Sequence, residues 1–180
     1  MSYQGYTPLM VSYLDYLDNL SYTRVENFKN HEGPDAYVKI LEIGVDRGQT
    51  SIILMSSLVA KGIPFIWVGV DIRRDDNLMQ QINLMEGVDH YFLKDQVTPK
   101  SYAIYDIANS LDHLKQDPNQ YDLVLIDGDH NYDTVTQELS FLDKITHDLS
   151  LVICDDYAGI HAGKDSFYSD NELHRSLEHA

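Results

Sequence analysis

Short runs of apolar residues alternate along the chain with segments in which apolar residues recur every three or four positions. The uninterrupted runs predict β-strands at 38–45, 65–72, 90–93, 121–126 and 149–154. The longer spacing predicts helices with one buried face at 50–61, 75–85, 99–115 and 132–146. Strands that are apolar throughout and joined by helices belong to a parallel sheet. The pattern therefore predicts a doubly wound, Rossmann-like α/β fold, a mostly parallel sheet with helices on both faces.

The size and charge of the chain narrow its class. Its 180 residues, 43% of them hydrophobic, predict a single domain over 1–180, with a helical extension at 1–35. The formal net charge of −16 disfavours binding to nucleic acid or to acidic membranes. Cys154, the one cysteine, is predicted to pack inside a strand, which fits a reducing cytoplasm. Asp15 and Asp18 interrupt the apolar N-terminal stretch, so neither a signal peptide nor a spanning helix is expected.

The first predicted strand runs into a loop with the spacing G-x-x-x-G, from Gly44 to Gly48, and a helix follows at once. Ligands of doubly wound sheets bind beyond the carboxyl ends of the strands, and glycine lets the backbone approach a ligand closely. The spacing differs from the dinucleotide fingerprint G-x-G-x-x-G, and Glu42 lies two residues before the first glycine. A tight turn without a ligand is the alternative. Asp71 ends the second strand, where a carboxylate can accept hydrogen bonds from both hydroxyls of a ribose or cap a helix.

Two further predicted strands end in acidic residues. The stretch YDLVLIDGDHNYDT places Asp127, Asp129 and His130 after one strand, and LSLVICDDYAG places Asp155 and Asp156 after the next. Neighbouring strands of a sheet lie about 5 Å apart, so these carboxylates are expected to share a small volume. Ionised carboxylates that close repel one another. They either take up protons or are held together by a cation, for which a hard ion such as Mg²⁺ is suited.

Taken in order, these motifs resemble those of class I S-adenosylmethionine-dependent methyltransferases. LEIGVDRGQT is similar to their first motif, VGVDI to their acidic second strand, and LVLIDGDHNYDTV followed by LVICDDYAG to the branch with the D-G-D-H-x-Y signature. The resemblance implies S-adenosylmethionine as the cofactor. By that resemblance Glu42, Gly44 and Gly48 contact the methionine part of the cofactor. Asp71 contacts the ribose, and Asp95 and Gln96 contact the adenine. A β-branched side chain at Gly44 is expected to weaken cofactor binding without unfolding the protein.

The acidic residues resemble the metal site of the macrocin and sugar O-methyltransferases, which implies a small-molecule or sugar hydroxyl as the acceptor. By that resemblance Asp127, Asp155 and Asp156 are ligands of Mg²⁺, and Asp129 is the base that removes the hydroxyl proton. His130 is the competing base. In the alternative without a metal, Asp127 and Asp129 face the sulfonium of the cofactor and cap the next helix. Asp155 and Asp156 then lie in a solvated turn.

The chain departs from the family pattern after the fifth predicted strand. Residues 169–180 predict one polar helix where the last two strands of the family fold are expected. A sheet without those strands has an open edge, which the tail can cover or a second copy can pair with in a homodimer. Two other functions stay open: a non-catalytic cofactor-binding domain or subunit, and an NAD-linked oxidoreductase. The G-x-x-x-G spacing argues against the oxidoreductase.

Overall fold

The computed structural model describes residues 37–89, 101–129 and 131–154. These residues form one sheet of six parallel strands in the order β3-β4-β2-β1-β5-β6. The strands are β1 (Val38–Ile43), β2 (Phe65–Asp71), β3 (Val88–Asp89), β4 (Ser101–Ile107), β5 (Leu123–Ile126) and β6 (Leu151–Cys154). The order reverses beside β1, because the chain moves outward from β1 to β2 and later returns to place β5 on the other side of β1. A ligand crevice opens at such a reversal in doubly wound sheets.

Helices cover both faces of the sheet. They are α1 (Gln49–Lys61), α2 (Asp76–Leu84), α3 (Ser110–Gln116), α4 (Tyr132–Leu139) and α5 (Leu142–Ile145). Because successive strand residues point to opposite faces, Ile40 and Leu41 of β1 belong to two separate apolar clusters. The cluster around Ile40 includes Leu58 of α1, and the cluster around Leu41 includes Leu114 of α3. The predicted doubly wound α/β fold is confirmed.

Four of the five predicted strands are present with slightly shifted ends, as β1, β2, β5 and β6. The strand predicted at 90–93 lies outside the described residues, as do the extension at 1–35 and the polar helix at 169–180. The expectation that the sheet lacks the last strands of the family fold lies outside them too. Within the described ranges β6 is an edge strand, and pairing of a second copy there stays a prediction. None of the helices in these ranges has the length and apolar character needed to span a bilayer.

The helix predicted at 99–115 is wrong over most of its length. Residues 101–107 form β4, and a shorter helix, α3, begins only at Ser110. The error has a clear cause: Ile104, Ile107 and Leu114 fall at spacings close to the helical period, which imitates one apolar helix face. In the structure Ile104 and Ile107 are 40% and 54% exposed, whereas Leu114 is fully buried. The apparent face therefore combines the exposed positions of a strand with the buried side of a separate helix.

The helix predicted at 132–146 is divided into α4 and α5. The break lies at Ser140, whose hydroxyl donates to the Gln137 carbonyl oxygen at 2.6 Å. The Ser140 N–H donates to the carbonyl oxygens of both Thr136 and Gln137 at 3.1 Å. A serine side chain that competes for backbone carbonyl groups tightens the last turn of a helix, and the chain changes direction before α5 begins.

Candidate active site

A cleft of about 860 Å³ opens at the carboxyl ends of β1, β2, β4 and β5, where the strand order reverses. This volume is within the range of small-molecule sites, roughly 300–1,000 Å³. Among the residues predicted from the sequence, Gly44, Asp71, Asp127 and Asp129 line the cleft. The sheet thus brings the exits of its first, second and fifth strands to one place.

Gly44 marks the point where the loops after β1 and β5 touch. Its φ is +82°, and a Cβ atom there would lie 2.1 Å from the carbonyl oxygen of Asp127 and 2.4 Å from the Cα atom of Gly128. The Asp127 N–H donates to the Ile43 carbonyl oxygen at 2.8 Å, which holds the two loops together. A side chain at Gly44 would strike the backbone of the chain itself. The expectation that a β-branched residue at Gly44 leaves the fold intact is therefore wrong.

Gly48 serves the packing of two helices. It lies directly before α1 with φ +69°, and a Cβ atom there would lie 2.3 Å from the Cδ1 atom of Leu78 in α2. The missing side chain lets α1 begin close to α2. Gly48 is buried and does not line the cleft, so its contact with the methionine part of a cofactor stays a prediction.

The carboxylate of Asp71 is held by backbone amides at the end of β2. Its Oδ2 accepts the N–H groups of Val45 and Asp46 at 3.0 and 2.9 Å, and its Oδ1 accepts the N–H of Arg73 at 2.9 Å. Asp46 has φ +45°, a left-handed conformation that is uncommon for a residue other than glycine. Successive amides that converge on one anion in this way form a backbone nest. A carboxylate offers about four acceptor positions and the three amides occupy three of them, so one position is left for a ribose hydroxyl and a second hydroxyl would have to displace an amide.

Glu42 lies beneath the cleft and faces the core. The residue is 3% exposed, and its Oε2 accepts hydrogen bonds from Trp67 Nε1 and Ser51 Oγ, each at 2.8 Å. Burial raises the pKa of Glu42 to about 7; the two hydrogen bonds oppose this rise, and the charge of Asp127 adds to it. Gly69 makes room for the indole of Trp67, since a Cβ atom there would lie 2.1 Å from the ring. Glu42 thus ties β1 to β2 and α1, and its direct contact with a cofactor stays a prediction.

Asp129 lies in the loop between β5 and α4 and is fixed by two hydrogen bonds. Its Oδ1 accepts the N–H of Asn131 at 3.1 Å, and its Oδ2 accepts the hydroxyl of Thr134 at 2.8 Å. Each oxygen retains a second acceptor position. Asp127 and Asp129 are both exposed where they line the cleft. The cleft therefore has carboxylates on its β5 side that a bound molecule can reach.

The remaining predicted site residues lie outside the described residues; they are Asp95, Gln96, His130, Asp155 and Asp156. Of the three predicted ligands of Mg²⁺, only Asp127 is described. Within the described ranges no group of three or more His, Cys, Asp or Glu side chains could hold a metal ion. The predicted metal site stays a prediction.

Comparison with known proteins decides the family. A family model described as a methyltransferase domain matches residues 41–157, more than half of the chain. The chain belongs to this methyltransferase domain family. The class predicted from the motifs is confirmed, and the O-methyltransferase branch stays a prediction.

Among solved structures, the methyltransferase domain is similar to the SAH-bound methyltransferase PaMTH1 of Podospora anserina. The identity is 15%, the match covers 87% of this chain and 72% of that chain, and the TM-score is 0.43. No curated protein matches the sequence.

The loop after β4 adds residues to the cleft of the methyltransferase domain that the sequence did not predict. Asn109, Ser110 and Leu111 line the cleft, and the Asn109 side chain accepts the N–H of Leu111 at 3.0 Å as the N-cap of α3. An asparagine before a helical pattern is a capping signal. The signal is masked because the apolar spacing over 99–115 predicts one continuous helix. Thr134 and the arginines Arg47, Arg73 and Arg74 were also missed as lining residues.

Cys154 ends β6 of the methyltransferase domain. Burial raises the pKa of its thiol to about 11, and the nearby Glu138 carboxylate acts in the same direction. The thiolate is the nucleophilic form of cysteine, so a raised pKa disfavours reactivity. This agrees with the predicted role of Cys154 as a packed residue.

Proposed function

We propose that this methyltransferase domain transfers a methyl group from S-adenosylmethionine to a hydroxyl group of a small molecule or sugar. The observation that carries the proposal is the arrangement of the cleft. The glycine loop after β1, the acid at the end of β2 and the two carboxylates after β5 meet where the strand order reverses. The chain belongs to a methyltransferase domain family, which supports the same proposal.

Two backbone amides of the glycine loop are already hydrogen-bonded within the chain, which favours this function over an NAD-linked oxidoreductase. Dinucleotide-binding folds bind the pyrophosphate at the first strand-to-helix turn and at the N-terminus of the helix that follows. Here the Val45 and Asp46 amides of that turn already donate to the Asp71 carboxylate. A pyrophosphate at this position would have to displace an anion that belongs to the chain. A nucleoside cofactor without phosphate groups avoids that competition.

The proposed transfer divides into separate roles for the cofactor and for residues after β5. When bound, S-adenosylmethionine supplies a methyl group on a positively charged sulfur. The Asp127 carboxylate is suited to lie near that charge. In such a transfer the substrate oxygen would take the methyl carbon, and the sulfur would keep the electron pair of the broken carbon–sulfur bond. Asp129, or His130 in its place, receives the hydroxyl proton. Alignment of the reacting atoms in the cleft supplies most of the rate.

The proposal is tested by incubating the protein with methyl-labelled S-adenosylmethionine and a panel of hydroxylated small molecules and sugars. Label is expected in an ether of one acceptor class. Matched acceptors with the hydroxyl replaced by hydrogen should stay unlabelled. Label that appears on nitrogen or carbon instead would refute the O-methyltransferase assignment. Tight cofactor binding without any transfer would favour the non-catalytic cofactor-binding alternative.

Replacing Asp71 by alanine is expected to weaken S-adenosylmethionine binding by about 1.5 to 3 kcal/mol, or about 10- to 150-fold. The change removes a charged acceptor for the ribose and releases the Val45 and Asp46 amides that shape the loop. Binding is measured by calorimetry, and urea unfolding establishes the folded fraction. Asp112→Ala removes an equal charge from an exposed ion pair on α3 and should leave affinity unchanged. Equal affinity in both variants would place the ribose elsewhere.

Mg²⁺ is expected to raise the melting temperature if it binds Asp127, Asp155 and Asp156, because a ligand of the native state stabilises by mass action. At ten times its Kd the rise should be roughly 3 to 6 °C. The double variant Asp155→Asn, Asp156→Asn should lose the rise. The charge-matched variant Asp143→Asn, Asp148→Asn should keep it. Unfolding is followed with Mg²⁺ or with chelator at fixed ionic strength, and a wild type without response would contradict the metal site.

A further inference from the structure

The arginines and lysines of the described residues occupy opposite ends of the sheet. Every arginine in the described ranges lines the cleft: Arg47 follows β1, and Arg73 and Arg74 follow β2. The lysines lie near the amino ends of the strands, as Lys39 in β1, Lys61 at the end of α1, Lys115 near the end of α3 and Lys144 in α5. In a chain with a formal net charge of −16, this places guanidinium groups selectively at the ligand site.

Backbone hydrogen bonds hold Arg73 in place, and an ion pair with Asp76 orients Arg74. The N–H of Arg73 donates to Asp71 Oδ1 at 2.9 Å, and its carbonyl oxygen accepts the Tyr105 hydroxyl at 2.7 Å. The ring of Tyr105 lies 6.3 Å from the buried ring of Trp67, so Arg73 is anchored to the core on both sides of its Cα atom. Arg74 Nε lies 2.9 Å from Asp76 Oδ1, which orients one edge of the guanidinium and leaves its other donors available.

Three aspartates, Asp46, Asp71 and Asp75, line the same side of the cleft. Two of them direct their charge at backbone amides: Asp71 at the three N–H groups described above, and Asp75 at the N–H of Leu78 as the N-cap of α2. Arg47 and Arg73 are not paired with carboxylates among the residues that the structure describes. This flank therefore offers cationic donors to a ligand although the chain as a whole is strongly acidic.

We propose that Arg47, Arg73 and Arg74 form an oxyanion subsite on the flank of the cleft, for a phosphate or carboxylate group of a bound ligand. Arginine suits this role better than lysine because its planar fork of N–H groups matches two oxygens of a carboxylate or phosphate. An acidic protein repels anionic ligands at long range, so a local cluster of arginines is needed to retain one. The anionic group belongs either to the methyl acceptor or to the cofactor's own carboxylate.

The inference rests on the cleft being the ligand site of the proposed function, but its test requires no methyl transfer. Inorganic pyrophosphate is titrated into the cofactor-free protein by calorimetry at several salt concentrations, and the variants are compared with the wild type at the same ionic strength. Binding is expected, with affinity falling as salt rises. Arg47→Gln and Arg73→Gln should each weaken it about tenfold. Lys115→Gln removes an equal charge at the other end of the sheet and should have no effect. Equal affinity in all variants, or no binding at all, would overturn the subsite.

Two further measurements identify the source of the anion. If pyrophosphate still binds when the protein is saturated with S-adenosylhomocysteine, the subsite serves the acceptor. If that binding is lost and decarboxylated S-adenosylmethionine binds about tenfold more weakly than the intact cofactor, the subsite serves the cofactor carboxylate. Arg47→Gln should then reduce the difference between the two cofactors. Pyrophosphate binding without any S-adenosylmethionine binding would keep the subsite and refute the proposed function, so the two failures are distinguishable.

Discussion

Gly44→Ala is expected to destabilise the protein by about 2 to 5 kcal/mol. The first part of this cost is the left-handed conformation, since φ is +82°. The second is the collision of the new Cβ atom with the backbone of Asp127 and Gly128, at 2.1 and 2.4 Å. Backbone on both sides leaves no flexible side chain that could move away. A loss of this size is a large share of the stability of a typical domain, about 5 to 15 kcal/mol.

Gly87→Ala supplies a matched control for this change. Gly87 has φ +86°, but a Cβ atom there meets nothing within 4 Å. Its substitution should cost only the conformational part, about 1 to 2 kcal/mol. The free energies of unfolding of both variants are measured in urea. If Gly44→Ala proves no more destabilising than Gly87→Ala, the close contact between the loops after β1 and β5 is wrong. The position of these two loops at the edge of the cleft would then also be wrong.

Asp129→Asn is expected to lower kcat by a factor of about 10² to 10⁴, the usual contribution of a general base. Asparagine keeps the size of the side chain and one acceptor for the N–H of Asn131. The Thr134 hydroxyl can rotate to accept a hydrogen bond from the new amide, because a hydroxyl both donates and accepts. The loop should therefore keep its shape while the side chain loses the ability to take up a proton.

The effect is measured with the acceptor that the labelling experiment identifies, together with calorimetric binding of S-adenosylmethionine. Cofactor affinity should change by no more than about twofold, since Asp129→Asn preserves the loop. Asp133→Asn removes an equal charge from an exposed position in the first turn of α4 and should retain full turnover. Full turnover in Asp129→Asn would exclude Asp129 as the base and leave His130 as the candidate.

The strands that bear the central motifs could be predicted because both of their faces are buried. In β1 and β5, nearly every residue is covered, so the apolar run is unbroken and unlike a helix. β4 could not be predicted in the same way, because two of its apolar residues, Ile104 and Ile107, are exposed. Their spacing continues into α3 and imitates one helical period. As a consequence, Asn109 and Ser110 were not expected at the cleft.

The sequence predicts where the site residues lie better than it predicts which groups they contact. That Gly44, Asp71, Asp127 and Asp129 share one cleft follows from a parallel sheet alone. The hydrogen bonds of the Asp71 carboxylate could not be predicted, because they depend on the left-handed turn at Asp46. The burial of Glu42 likewise depends on the pairing of β1 with β2, which brings Trp67 within reach of its carboxylate. Such contacts are set by tertiary packing, on which periodicity carries no information.

The central claim is that the cleft binds S-adenosylmethionine in preference to a dinucleotide. Calorimetric titration of the purified protein with S-adenosylmethionine, and separately with NADH, tests this most directly. The structure predicts one S-adenosylmethionine per chain and weaker binding of NADH, because the Val45 and Asp46 amides already donate to Asp71 and leave a dinucleotide pyrophosphate only the arginine flank. Saturable binding of NADH at one per chain, with none of S-adenosylmethionine, would contradict the account.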